Sequence, residues 1–215
     1  MNKRGIILSL EGGEGSGKTT LIKELAEHLK KEGRKVRVVR EPGGSEIGEK
    51  IRNLIVDKSN KDDMDYNTEL LLFVASRMQL LKDVTLHELS EGTIVIYDRY
   101  IDSSIVYQGI VRGLGVDKVI DLHKLMMPDW FPDYSILMDV DAHVGLKRGT
   151  QDGVETNKFE DYDISFHEKI NEEYRKLFNT YKKSRPDNFE IIDANKSKDE
   201  VFNKLVETVE RFLDS

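Results

Sequence analysis

Cysteine is absent from all 215 residues of the sequence. Its absence excludes disulfide bonds, thiolate metal sites and a cysteine nucleophile, and it fits a cytoplasmic location. Long hydrophobic runs are also missing, since no run exceeds LLLFVA at 70–75. A signal-peptide core needs about 7–15 apolar residues and a membrane-spanning helix needs about 20. We therefore expect a cytoplasmic protein that has no membrane contact.

An excess of positive charge is missing as well. The sequence has 33 lysines and arginines against 40 aspartates and glutamates, which gives a net charge of −7. Nucleic-acid binding requires a basic surface, so we expect no nucleic-acid partner, and local groups must hold any bound phosphate. The histidines at 28, 87, 123, 143 and 167 form no i,i+4 pair. The sequence therefore predicts neither a zinc site nor a histidine-based acid–base centre.

Short apolar segments alternate with longer segments of helical periodicity along the whole chain. The predicted strands lie at 6–10, 35–40, 93–97, 134–140 and 189–193. The predicted helices lie at 18–31, 45–56, 68–91, 102–111, 116–126, 141–148, 166–183 and 198–213. Continuous apolar strands separated by helices are typical of a parallel sheet that is covered on both faces. We therefore predict one α/β domain over 1–215 with a five-stranded parallel sheet and helices on both faces.

The segment GGEGSGKT at 12–19 matches the phosphate-loop (P-loop) motif G-x-x-x-x-G-K-[ST] between a predicted strand and a predicted helix. Its glycines let backbone N–H groups converge on an anion, and the helix that follows directs its positive end there. Lys18 can reach the β- and γ-phosphates, and the Thr19 hydroxyl can coordinate Mg²⁺. The residues predicted to bind the triphosphate are Gly12, Gly13, Glu14, Gly15, Ser16, Gly17, Lys18, Thr19 and Thr20.

A second pattern decides between the classes of P-loop protein. A GTPase would carry N-K-x-D, whereas NKFE (157–160) and NKSK (195–198) lack the aspartate. Motor proteins usually carry paired acids after an apolar strand, whereas TIVIY is followed here by Asp98 and Arg99. This pair has two interpretations, a surface ion pair or a metal ligand beside a phosphate-binding arginine. Its position after a parallel strand favours the second, because ligands bind at that edge of such sheets.

Four segments in order, LEGGEGSGKTT (10–20), REPGG (40–44), FVASR (73–77) and DRYIDSSIVYQG (98–109), resemble the bacterial thymidylate kinase family. The resemblance runs from residue 6 to about 170 and implies a P-loop kinase fold. It also implies Mg²⁺-dependent transfer of the γ-phosphoryl group of ATP to dTMP, giving dTDP for dTTP biosynthesis, and a homodimer. Lys18, Arg99 and Arg148 are then the predicted catalytic residues, and Thr19 and Asp98 the predicted metal ligands.

The resemblance also implies where the acceptor binds. Glu14 and Glu41 are expected near the dTMP sugar and the metal, while Arg52 and Arg99 bind the phosphate. Tyr107 is expected against the deoxyribose, where it would crowd a 2′-hydroxyl. Simpler explanations stay open for each residue taken alone: Glu14 as an exposed loop acid, Arg52 as a solvated helix charge, and Tyr107 as the end of a helix.

Four further residues are expected to recognise the thymine base. Phe73 would stack on it, Arg77 would donate to a carbonyl oxygen, and Ser104 and Gln108 would face it. Phe73 could instead be a core residue, because it lies on the apolar stripe of its helix. The chain could also be a kinase for another nucleotide or deoxynucleoside, or a nucleotide-binding switch protein without an acceptor.

The polar segment 149–163 is predicted to be the short lid of the family. Phosphoryl transfer competes with hydrolysis, so such a lid should exclude water and bring cations to the phosphates. The available cations are Lys147, Arg148 and Lys158, and Lys158 departs from the arginine that is common in the family. A lysine lacks the guanidinium fork, so Arg148 is the preferred candidate. A second departure is Val106, where alanine is usual.

Overall fold

The computed structural model describes residues 4–60, 63–149, 158–159 and 161–214. Most of the predicted lid, 149–163, therefore lies outside the described residues. The assignment of 1–215 to one domain stays a prediction. Within the described ranges, no helix is both long enough and apolar enough to cross a membrane.

The strands form a five-stranded parallel sheet in the order β2-β3-β1-β4-β5, which confirms the predicted sheet. They are β1 (Ile6–Glu11), β2 (Val36–Arg40), β3 (Ile94–Asp98), β4 (Tyr134–Asp139) and β5 (Phe189–Asp193). Neighbouring β1 and β3 are in register at Leu10 and Asp98. Because the strands are parallel, the segments that follow β1 and β3 emerge side by side at one edge of the sheet.

The helices are α1 (Lys18–Lys31), α2 (Glu46–Val56), α3 (Tyr66–Leu80), α4 (Leu86–Ser90), α5 (Ile101–Ser104), α6 (Val116–Met126), α7 (Ala142–Gly149), α8 (Ile164–Ser184) and α9 (Lys198–Leu213). Short 3₁₀ turns occur at Lys58–Asn60 and Pro186–Asn188. The predicted boundaries of α1, α6 and α9 agree with the structure, and Ser45 caps α2 by accepting from the Gly48 N–H.

Two predicted helices contain a π-helical turn that periodicity did not indicate. Leu81–Thr85 joins α3 to α4, and Ile105–Val111 continues α5. The second turn includes Gly109, at which an added Cβ would lie 3.3 Å from Val119 Cγ2 of α6. The glycine therefore permits α6 to pack closely. Turns of this kind are often found at functional sites.

Alternate residues of the strands enter cores on opposite faces of the sheet, as the strand period requires. Leu8 and Leu10 of β1 pack with apolar residues of α1 and α9, whereas Ile7 packs with residues of α3 and α6. Helices thus cover both faces, as predicted. A third apolar cluster, which includes Tyr107 and Tyr174, brings α8 against the π-helical turn Ile105–Val111.

Candidate active site

The loop between β1 and α1 is held by contacts of its backbone. Gly12 has φ 140° and an added Cβ would lie 2.5 Å from Met138 O at the end of β4. Gly15 has φ 65°, and a Cβ there would lie 1.8 Å from Gly145 O of α7. In turn, a Cβ on Gly145 would lie 2.2 Å from Glu14 O. Gly12 and Gly15 have to be glycine because neither the backbone conformation nor the space admits a side chain, and Gly145 has to be glycine because of the space alone.

The ammonium group of Lys18 lies inside this loop. Nζ donates to Gly12 O at 2.9 Å, to Gly13 O at 3.0 Å and to Ser16 Oγ at 2.9 Å. The residue is 7% exposed. Burial, and then the nearby Arg99 charge, lower the pKa of Lys18 to about 8. A cation is thus fixed where the loop would hold phosphate oxygens.

The family resemblance implies that ATP binds to this loop, and the pKa of Lys18 predicts that its binding depends on pH. Phosphate is attracted to the protonated ammonium, so the affinity for ATP should fall as the pH rises through about 8. We expect a loss approaching tenfold per pH unit above that point. Calorimetric titration of ATP between pH 6.5 and 9.5 measures it. The Lys18→Arg variant is the control, because arginine stays charged in this range; an affinity that is constant up to pH 9.5 in the unmodified protein would contradict the prediction.

Thr19 and Asp98 meet at the edge where β1 and β3 end. The Thr19 hydroxyl donates to Asp98 Oδ2 at 2.6 Å, and Asp98 is 8% exposed. A hydroxyl and a carboxylate beside a phosphate loop are oxygen ligands of the kind that Mg²⁺ prefers. The chemistry of this pair therefore fits a magnesium ion.

Arg99 connects the loop to the third apolar cluster. Its Nη2 donates to Glu14 Oε1 at 2.7 Å, Nη1 donates to Tyr174 OH at 3.3 Å, and the guanidinium lies 5.5 Å from the Tyr107 ring centroid. Its φ is 70°, a left-handed conformation that costs a non-glycine residue about 1–2 kcal/mol. Such a cost at the end of a sheet strand is typical of a functional position.

Glu14 faces Arg99 rather than open solvent. Burial works to raise the pKa of Glu14, but Arg99 and Lys18 together hold that pKa below its usual range. The carboxylate is therefore ionised beside two cations. Its charge offsets part of theirs, and its bond to Arg99 fixes the guanidinium next to the loop.

Glu41 and Arg77 form a buried ion pair. Both Nε and Nη2 of Arg77 lie 2.6 Å from Glu41 Oε2. Nη1 donates to Ser104 Oγ at 3.1 Å and to His123 Nε2 at 2.5 Å, and Nη2 donates to Tyr100 O at 3.0 Å. These contacts occupy the five N–H groups of the guanidinium. Arg77 can donate to a base only if one of them is exchanged.

The partners of Arg77 have perturbed pKa values. Burial raises the pKa of Glu41 to about 7 despite Arg77, and Glu41 Oε1 has no hydrogen-bond partner among the described residues. Burial and then the Arg77 charge lower the pKa of His123 to about 3, so this imidazole is neutral. Its Nδ1–H donates to Val119 O at 2.7 Å, which leaves Nε2 to accept from Arg77. Sequence reasoning missed His123 because it looked only for histidine pairs.

Phe73, predicted to stack on the base, and Tyr107, predicted to face the sugar, both lie near the ring of Phe159. The Phe159 ring centroid is 6.2 Å from that of Phe73 and 5.9 Å from that of Tyr107. Gln108 is 1% exposed, and its Nε2 donates to Glu69 Oε1 at 3.0 Å. Phe73 is half-buried, so it is not a residue of the deep core. The structure thus brings α3 and the π-helical turn Ile105–Val111 into contact through these side chains.

The remaining predicted cations have backbone or buried partners. Arg52 Nη1 donates to Pro42 O at 2.9 Å, beside Glu41. Arg148 Nη1 donates to Ala194 O at 2.8 Å, after the end of β5. Lys158 is fully buried, with its Nζ 2.8 Å from Glu69 Oε2. The sequence analysis did not identify Glu69. An acid directly before the apolar stretch 70–75 was a signal that could have identified it.

Comparison with known proteins gives consistent matches over nearly the whole chain. The family model described as thymidylate kinase matches residues 10–205. The thymidylate kinase of Shouchella clausii is 39% identical over 212 residues, which cover 98% of this chain and 97% of that protein. The thymidylate kinase of Caldanaerobacter subterraneus is 40% identical over 210 residues, which cover 98% of this chain and 97% of that protein. A solved thymidylate kinase structure from Ehrlichia chaffeensis superimposes with a TM-score of 0.75 at 26% sequence identity. The match covers 96% of this chain and 99% of that chain.

Proposed function

The chain belongs to the thymidylate kinase family, and we infer that it phosphorylates dTMP to dTDP with the γ-phosphate of ATP. It is an ATP-dependent nucleoside monophosphate kinase of nucleotide biosynthesis. One observation supports our proposal that this reaction takes place at the site described above. Arg99 contacts Glu14 of the phosphate loop and the Tyr107 ring of the neighbouring pocket at once, so donor and acceptor elements share one cation.

On the donor side, the backbone of 12–20 would hold the ATP phosphates at the start of α1. Lys18 would exchange its bonds to the loop carbonyls for bonds to phosphate oxygens and so neutralise charge as the phosphoryl group moves. An acceptor phosphate oxygen is already a nucleophile, so no general base is required. Catalysis then consists of positioning and of charge neutralisation.

Thr19 and Asp98 would hold Mg²⁺. When bound, the ion would neutralise charge on the phosphates. The Thr19 hydroxyl donates its hydrogen to Asp98 and keeps the lone pairs of its oxygen for the ion.

On the acceptor side, Arg99 and Arg52 would bind the dTMP phosphate, with forked donors that match its oxygens. Glu41 and Glu14 would lie near the sugar. Tyr107 would pack on the deoxyribose and exclude a 2′-hydroxyl, because its ring is held against Phe159 and neighbouring rings.

The base would lie among Phe73, Arg77, Ser104 and Gln108. Phe73 offers a partly exposed ring for stacking. The Ser104 hydroxyl accepts from Arg77 and keeps its own hydrogen for a carbonyl oxygen of the base. Among the contacts of Arg77, the one to Ser104 is the longest, so it is the one we expect to be exchanged for thymine.

The cation that supports transfer from the lid side would be Arg148. The buried ion pair of Lys158 with Glu69 supports this choice, since it holds Lys158 to α3. Arg148 is bound instead by backbone carbonyls near the end of β5, which a side-chain rotation could release.

We also propose a cytoplasmic homodimer that binds neither nucleic acid nor membrane. Exposed apolar side chains on α2, α3 and α6 support the dimer. Ile47 and Leu54 are 49% and 54% exposed on α2, Leu71 is 56% exposed on α3, and Leu125 is 78% exposed on α6.

The function is tested by a coupled assay of ADP release with each natural nucleoside monophosphate in turn. We expect dTMP to give the highest kcat/KM. Preference for another monophosphate would replace the proposed acceptor. Tight ATP binding without acceptor-dependent ADP release would instead indicate a switch protein.

A further inference from the structure

Glu69 of α3 is a buried carboxylate with three cationic or polar neighbours. It is 1% exposed, and Oε1 accepts from Gln108 Nε2 at 3.0 Å and from Arg112 Nε at 3.4 Å. Oε2 accepts from Lys158 Nζ at 2.8 Å. Lys158 is itself fully buried, and its backbone N–H donates to Val56 O at 3.2 Å. In each of these contacts the carboxylate is the acceptor.

This arrangement determines which end of the Gln108 amide faces the pocket. An ionised carboxylate can only accept hydrogen bonds, whereas a side-chain amide has one donor end and one acceptor end. Glu69 therefore holds the NH₂ end of Gln108. The carbonyl end, Oε1, is the end left for any other partner.

The two pyrimidine bases differ at the atom that such an oxygen would meet. Ring atom N3 of thymine carries a hydrogen and donates, whereas N3 of cytosine has a lone pair and accepts. An amide oxygen pairs with the first and repels the second. A reversed amide would show the opposite preference.

We propose that Glu69 is a positioning residue that fixes the Gln108 amide with its carbonyl oxygen toward the base, and that it thereby selects thymine over cytosine. This inference rests on the proposed function, in which Gln108 faces the base of dTMP. Glu69 itself contacts no substrate atom. It acts through Gln108, and Lys158 and Arg112 keep its buried charge compensated.

The Glu69→Gln variant tests the proposal because Lys158 dictates how the new amide must turn. Lys158 only donates, so it holds the new carbonyl oxygen at the position of Oε2, and the new NH₂ group then faces Gln108. Gln108 has to reverse and present its own NH₂ to the base. We expect KM for dTMP to rise about 10- to 100-fold, the range for one mismatched hydrogen bond, while kcat changes much less.

The readout is the ratio of the inhibition constant of dCMP to KM for dTMP, which can be measured even if dCMP is not phosphorylated. We expect this ratio to fall at least about tenfold in Glu69→Gln. The double variant Glu69→Gln/Lys158→Met removes the lysine that turns the amide. Gln108 can then regain its original orientation, and we expect the ratio to recover. Lys158→Met alone should keep the ratio of the unmodified protein, because Glu69 still faces Gln108.

Thermal melting of each variant separates selectivity from folding. If Glu69 only supported the fold, this ratio would not recover in the double variant. An unchanged ratio in folded Glu69→Gln, or a ratio that stays low in the folded double variant, would overturn the proposal. Absence of dTMP phosphorylation by the unmodified protein would instead refute the proposed function, so the two failures are distinct.

Discussion

Lys18→Ala is expected to lose at least 10²- to 10³-fold in kcat for phosphoryl transfer from ATP to dTMP, the range for removing one preorganised donor. The loss should lie toward the upper end or beyond it. Lys18 lies among the carboxylates of Glu11, Glu14 and Asp98, each of which acts to raise its pKa. Without the ammonium, these acids would repel the polyphosphate. Steady-state ADP release with saturating ATP and dTMP measures the effect.

The same substitution should leave the fold intact. The lowered pKa of Lys18 means that the folded protein holds this charge less well than water does, so folding does not depend on it. We expect the melting temperature of Lys18→Ala to stay within a few degrees of the unmodified value, as for substitutions that break no packed core. Normal turnover by the variant, or its failure to fold, would each contradict this account of Lys18.

Arg77→Met is expected to destabilise the protein by about 3–5 kcal/mol, the usual cost of removing one partner of a buried ion pair. Glu41 would keep a carboxylate that is 4% exposed, without its cation. Ser104, His123 and the Tyr100 carbonyl would also lose their donor. Equilibrium unfolding in urea, followed by circular dichroism at neutral pH, measures the change in the free energy of unfolding.

Two further variants make this prediction specific. Arg34→Met removes an arginine whose partner, Asp214, is 73% exposed at its side chain, and we expect it to cost less than about 1 kcal/mol. Arg77→Met/Glu41→Leu removes both buried charges and should be more stable than Arg77→Met alone. Equal stability of Arg77→Met and the unmodified protein would show that the pair contributes nothing.

The sequence indicated the sheet and most helices because their signals are local. The glycines at 12 and 33 mark the ends of β1 and α1 directly. The π-helical turns left no such signal. At the turn Ile105–Val111, α6 packs closely on Gly109, which is a contact with another helix and not a feature of the turn's own sequence. Periodicity alone therefore predicted one continuous helix there.

The candidate site also has one part that local sequence predicts and one part that it does not. The phosphate loop is one contiguous motif, so its residues could be named from spacing. The predicted acceptor site beside it draws on α3 and the turn Ile105–Val111, and its residues were expected only from the family resemblance. Glu69 and His123 escaped prediction because each acts on a neighbour that is remote in the sequence, Gln108 and Arg77 respectively.

The contact between Gly15 and Gly145 has a mechanical consequence. Here the phosphate loop and α7 touch backbone to backbone, with no side chain between them to bend or change rotamer. Close-packed atoms are nearly incompressible, so a shift of one element is passed to the other almost undiminished. Helix α7 ends at Gly149, where the predicted lid begins. The joint thus makes α7 and the loop that would cradle the phosphates a single stiff part.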